Sequence, residues 1–269
     1  MKKSVITIMS MLVLASCTDH QLVENVVAEE TSAQASVSEF ETLREKARWG
    51  DGLAYLRLAD SYRLGIGVKP DFIGMLSMAA MAQEFGGIQR MENYLDSISK
   101  ESEFKMLIDA INSYENQQFD EAITLKDQLV SKGSPEGYTV SGIMAKEHGD
   151  SIEGEKFLLT AANEGSSFAA LLLCLQDWRD GIKPEVTKLE LLSDRIPWVN
   201  KVLGDLYSGQ KDGCQRNDSL AAFYYLKADK EACLDRSGAQ WLLDYQRSGG
   251  DLHLEQNDLM RLLILSEKE

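Results

Sequence analysis

The sequence predicts an all-α protein, an α/α solenoid of helix–turn–helix repeats. Three observations predict it. Only four prolines occur in 269 residues, and no long β-branched alternation marks a strand. Small and apolar residues recur at helical spacing. The same pair of helices, joined by a glycine-marked turn, recurs along the chain, which is the signature of a repeat architecture.

The first element is not part of that array. "MKKSVITIMSMLVLASC" opens with Lys2 and Lys3, continues through an apolar stretch from Val5 to Leu14 too short to span a bilayer stably, and closes on Leu14-Ala15-Ser16-Cys17. This is the pattern of a secretory signal, residues 1–16. Its end resembles a bacterial lipobox. That resemblance implies diacylglycerol on the Cys17 thiol, cleavage before Cys17 and acylation of the new amino terminus, which together give stable anchoring. Thr18 stands where lipoproteins kept in the inner membrane usually carry Asp, so the resemblance points to the outer membrane, facing the periplasm. Residues 17–37 are polar and acidic and read as a lipidated tether. Residues 38–269 are long enough for a substantial core, and a hydrophobic content of 44% supports one.

The repeats come next. After Gly50, the residues Ala54, Leu58, Ala59 and Tyr62 follow at helical spacing, then Gly65-Ile66-Gly67-Val68, then Asp71. Met75, Met78 and Ala82 carry a second helix to Gly86. Asp71 suits an N-cap, and the small residues at 54, 59 and 82 let the two helices approach closely. The second half recurs at Asp150, Gly154, Phe157, Ala161, Ala162 and Gly165. The first half recurs in "VLGDLYSG", and "SLAAFYYLKA" supplies its partner helix.

"LADSYRLGIGVKPD" and "VLGDLYSG" resemble the suppressor-enhancer-of-lin-like repeat (SLR), a longer relative of the tetratricopeptide repeat. Residues 50–86 match its pattern at nearly every position. The unit from 133 to 165 keeps the second helix with a shortened loop, and the unit from about 196 to 232 has an extended loop. "QQFDEAITLKDQLVSKG", within 88–132, is closer to a plain tetratricopeptide helix. "SSFAALLLCLQDW" and "AQWLLDYQRSGG" continue the array as degenerate helices. The resemblance implies a tetratricopeptide-like superhelix in which first helices line a concave face.

The stretch "GIGVKPD" is punctuation and not a phosphate cradle. A phosphate loop follows a strand and opens a helix with Gly-Lys-Ser/Thr, whereas this one follows a helix and has no Ser or Thr after Lys69. Gly65 and Gly67 are turn residues. Met75, Met78 and Met81 could suggest a soft metal site, but Met75 and Met78 take core positions of the repeat. The three histidines, His20, His148 and His253, have no metal-ligand spacing. No metal and no cofactor are expected. Cys17 is committed to lipid. A Cys214–Cys233 bridge is disfavoured because a helix over 218–231 would hold the two far apart.

The chain has 28 basic and 43 acidic residues, a formal charge of −15, and loss of Lys2 and Lys3 with the signal makes the mature form still more acidic. Such a surface repels nucleic acid and anionic headgroups. Acid pairs such as Glu153/Glu155 and Asp177/Asp180 carry no cue beyond charge, and no motif frames a nucleophile. No catalytic residue is expected.

The concave positions implied by the tetratricopeptide register are Asp60 and Arg63, Thr139 and Lys146, Trp178 and Arg179, then Trp198, Lys201 and Asp205. Trp and Arg are frequent binding hot spots, and cations on an acidic protein could hold a partner's carboxylates. The expectation is a lipid-anchored, non-catalytic scaffold or adaptor for a protein or peptide in the bacterial cell envelope. The alternatives are a pilotin- or immunity-type lipoprotein with one specific partner, and a periplasmic enzyme acting on cell-wall material.

Overall fold

The structure is a computed structural model and describes residues 33–86, 91–175, 185–211 and 214–267. Among the described residues there are fourteen α-helices and no β-strand. They are α1 (Ala33–Arg48), α2 (Gly52–Leu64), α3 (Phe72–Gly86), α4 (Met91–Ser97), α5 (Glu103–Glu115), α6 (Phe119–Ser131) and α7 (Pro135–His148). After these come α8 (Ser151–Glu164), α9 (Ser167–Leu173), α10 (Val186–Leu192), α11 (Pro197–Ser208), α12 (Asp218–Lys230), α13 (Arg236–Arg247) and α14 (Gln256–Glu267). The first helix starts at Ala33, inside the segment read as a tether.

The helices gather into two compact units. The first is Glu92–Lys188. The second combines the stretch ending at Met91 with Leu189–Glu269. What reads in sequence as one continuous array therefore contains a unit built from two separated stretches.

In the first unit each helix packs on its chain neighbour: α5 on α6, α6 on α7, α7 on α8 and α8 on α9. Local chemistry fixes the tight connections. Pro135 occupies the first turn of α7, where its missing N–H costs nothing. The helix stops at Gly149, whose φ of 97° suits glycine, and Asp150 at once caps α8 by accepting from the Glu153 amide at 3.0 Å. Gly165 and Ser166 repeat the device, the Ser166 hydroxyl accepting from the Ala169 amide at 3.0 Å. Leu107, Ile111, Leu129, Ile143, Leu158 and Phe168 form the core.

In the second unit the hairpins are α2/α3, α11/α12 and α13/α14, and α3 packs directly on α11 across more than a hundred residues of sequence. The "GIGVKPD" turn joins α2 to α3. Gly65 ends α2 with φ 74°, the Asp71 amide donates to the Tyr62 carbonyl at 3.0 Å, and the Asp71 carboxylate accepts from the Gly74 amide at 2.5 Å. Two glycines set how closely the hairpins close. A Cβ on Gly74 would lie 2.5 Å from the Tyr62 ring, and one on Gly204 would lie 2.4 Å from the Tyr225 ring. The glycine sits on the second helix in one hairpin and on the first in the other, so the same large-on-small contact is made with the roles exchanged. Met75, Met78 and Met81 are all buried in α3.

Candidate functional site

Of the described sequence-selected residues, Thr139 and Lys146 lie in the first unit and Asp60, Arg63, Trp198, Lys201 and Asp205 in the second. Asp60 and Arg63 are one turn apart on α2 and pair with each other, the guanidinium donating to the Asp60 carboxylate at 3.0 and 2.8 Å. Lys146 is half-buried, with its stem against Gly154 of the partner helix. Trp198 is half-buried in the first turn of α11. Cys17, Trp178 and Arg179 lie outside the described residues.

Three of the selected residues are corrected by the structure, because they are buried and no partner reaches them. Thr139 is fully buried, donating at 3.1 Å to the Ser166 hydroxyl, which in turn donates at 3.0 Å to Glu136. Lys201 and Asp205 are buried on α11 and face other parts of their own unit. The Lys201 ammonium lies 2.8 Å from Asp205 and 2.7 Å from Asp235, and the exposed Lys211 approaches Asp205 at 2.9 Å. The Tyr225 hydroxyl donates to Asp205 at 3.0 Å, and the second oxygen of Asp235 caps α13 through the Gly238 amide at 2.8 Å. Burial opposes the charge on Lys201, but Asp235 and Asp205 more than offset it, and its pKa is raised.

Glu84 of α3 reaches the same region. Its carboxylate accepts from the Arg236 amide at 2.8 Å, and the Arg236 guanidinium donates to the Glu84 carbonyl at 3.3 Å. Burial, reinforced by the negative charge of Asp235, pushes the Glu84 carboxyl up to about 7.

A second buried network ties α1 to the last helices. Asp229 of α12 is paired with Arg261 of α14 and with Arg48 of α1, the latter at 3.3 Å. Arg48 also donates to the Asp229 carbonyl at 3.2 Å, and Arg44 pairs with Glu231 at 3.0 Å. Asp229 and Arg261 are each 3% exposed, so these charges satisfy one another and not solvent.

Large apolar side chains are exposed elsewhere. On α6, Phe119, Ile123 and Val130 are 46%, 45% and 39% exposed, while only Ala122 and Leu129 of that helix are buried. Ile152 and Leu159 are exposed on α8, and Leu191 and Phe223 are exposed in the second unit. The α6 residues recur at i, i+4 and i+11, a helical period that was open to view in "QQFDEAITLKDQLVSKG".

The three described cysteines are free. Burial raises the pKa of Cys174 to about 11 and also raises those of Cys233 and Cys214, so none is a ready thiolate nucleophile at neutral pH. Among the described residues no group of His, Cys, Asp or Glu is arranged to hold a metal, and no helix is long and apolar enough to cross a membrane.

Successive helix pairs, alike in their turns and in their close crossings, decide the class. The chain is a helical-repeat protein. Two solved structures are similar to it. One is a protective antigen of uropathogenic Escherichia coli displaying an SLR fold, with 21% identity and a TM-score of 0.40, covering 84% of this chain. This chain spans about half of that one, 48%. The other is a Sel1 repeat protein from Oxalobacter formigenes, with 14% identity and a TM-score of 0.37, covering 88% of this chain and 97% of that one. No family model and no curated protein matches the sequence.

Proposed function

We propose that this helical-repeat protein is a non-catalytic scaffold or adaptor, anchored by lipid at Cys17 in the bacterial cell envelope, that binds a protein or peptide through exposed helix faces. The observation that carries the reading is a division of labour among side chains. The carboxylates that converge, Glu84, Asp205 and Asp235, each have a partner inside the protein in Arg236, Lys211 or Lys201. Large apolar side chains, by contrast, stand exposed on α6 and α8. Interior ions of that kind hold helices together, whereas exposed apolar rows on rigid helices suit association. The lipobox-like end of the signal supports the anchor, and Thr18 supports the outer membrane.

Two measurements test this. Mass spectrometry of the purified protein is expected to find a diacylglyceryl group and an acyl chain on Cys17, and Cys17→Ala is expected to move the protein from the membrane to the soluble fraction. In-cell photocrosslinking from Trp178, Arg179, Trp198 and Ile123 is expected to capture one dominant envelope protein. Diffuse adducts, the same as those from the exposed Lys230, would remove the adaptor reading.

A further inference from the structure

We infer that the outer face of α6 is the docking surface for a basic amphipathic helix of the partner protein; this rests on the scaffold reading and specifies the surface and the partner's chemistry. On a helix of 3.6 residues per turn, Phe119, Ile123 and Val130 fall within a narrow stripe, with Lys126 between them. The stripe runs along roughly 16 Å of helix at 1.5 Å per residue, the length of a three-turn contact. Its inner border is the buried edge of Ala122 and Leu129, by which α6 packs on α5 and α7.

Its outer border is acidic. Asp120 and Asp127 stand one heptad apart, both exposed, about a quarter turn from the stripe, with exposed Glu121 beyond. Lys126, the one cation in this row, is paired with Asp127 at 2.8 Å. An apolar row with charges a heptad apart along its edge is the arrangement by which paired helices choose a partner. The matching helix carries apolar residues at the same spacing and Lys or Arg facing Asp120 and Asp127.

Charge decides among the possible occupants. A second copy of this chain brings the same aspartates and a net charge of −15, so it opposes acid to acid. An anionic bilayer is repelled for the same reason. The anchor is also held in position before binding. The Phe119 ring sits edge-on to Tyr114 with centroids 5.4 Å apart, and the Tyr114 hydroxyl is 3.2 Å from the His148 ring nitrogen. A ring fixed in advance loses less freedom when it is covered.

The test uses the full chain and synthetic peptides of about 18 residues, long enough to form a helix on a surface. One peptide carries a leucine stripe flanked by lysines. A second replaces every lysine by glutamate, and a third disperses the leucines at equal composition. Fluorescence anisotropy at physiological ionic strength is expected to show the first bound about tenfold tighter than either control. Phe119→Ser with Ile123→Ser is expected to erase that preference, and Asp120→Lys with Asp127→Lys to transfer it to the glutamate peptide. Met260→Ser on α14, an exposed apolar side chain outside the stripe, is expected to leave binding unchanged, and circular dichroism verifies each variant's fold.

Equal binding of the dispersed peptide, or equal binding by the stripe variants, would mean general attraction to an acidic chain and would overturn the inference. Absence of binding would overturn it too. In cells, a partner crosslinked from Trp198 but not from Ile123 would remove the α6 surface and leave the scaffold reading standing. Loss of specific adducts from both positions would remove both.

Discussion

The two units are built from similar helices but joined differently. In Glu92–Lys188 every major packing is between neighbours in sequence, and apolar residues fill the interior with one small hydroxyl–carboxylate chain, Thr139–Ser166–Glu136. In the other unit, α1 and α3 meet helices that lie far along the chain, and polar pairs sit at the meeting places: Arg48 and Arg261 on Asp229, Arg44 on Glu231, Glu84 on Arg236. Local hairpins need only an apolar stripe to find each other. A distant pairing must be chosen among many similar helices, and complementary buried charges make the wrong choices costly.

The most damaging way to break this contrast is Asp229→Ala, which takes the buried counter-charge from Arg261 and Arg48 and leaves them only the more exposed Asp258 and Glu45. A loss of about 3–5 kcal/mol is expected, the usual cost of removing one partner from a buried pair. Hydrogen exchange resolved by peptide is expected to place that loss in α1, α12 and α14 while α5 to α8 keep their protection.

A smaller effect comes from pH. Glu84 holds its proton to about pH 7 in the folded protein, against an ordinary value of 4.5. Its contribution is therefore fully present below about pH 4.5 and is lost as pH rises through 7. The change is on the order of 2–3 kcal/mol, confined to the second unit. Urea titrations at pH 5 and 8 measure it, and Glu84→Gln is expected to flatten that difference; an unchanged difference would assign the slope elsewhere.

Gly204→Ala drives a methyl into the Tyr225 ring and is expected to destabilise by about 1–2 kcal/mol despite the better helix propensity of alanine. It sharpens the comparison, since it damages a local hairpin inside the distantly joined unit. Thermal unfolding is expected to show a shifted midpoint with the ion network's pH dependence intact. Least of all, Phe119→Ser with Ile123→Ser is expected to change stability by under about 1 kcal/mol per substitution, because close to half of each side chain is already in water. A larger loss in the same unfolding measurement would make the α6 stripe part of the core.

Much of the fold was legible in the sequence for one reason: hairpins are local. The spacing of Leu58, Ala59 and Tyr62, the turn at Gly65 and Gly67, and the cap at Asp71 all act within a few residues, and α2 and α3 fall where they predict. The expected units at 133–165 and 196–232 likewise appear as α7/α8 and α11/α12. The site was less legible. Lys201 and Asp205 were placed on an open face because a single repeat's register says which way a side chain points but not what lies there. Asp235, which closes that space, belongs to the next repeat. Thr139 failed likewise, through Ser166 of the following helix. The α6 stripe was visible as a period, but a period alone does not separate a buried face from a bare one.

The broken continuity of the second unit also bears on how the protein is made. Arg48 and Asp229 are separated by 181 residues, and chains grow at roughly 5–20 residues per second, so Arg48 waits roughly ten seconds or longer for its counter-charge. During that interval the first hairpin has only half its surroundings, while Glu92–Lys188 can complete itself in passing. Without α14, Asp229 would keep Arg48 but lack Arg261. The clasp of α1 on α12 and α14 thus forms only once both stretches of the second unit have been made.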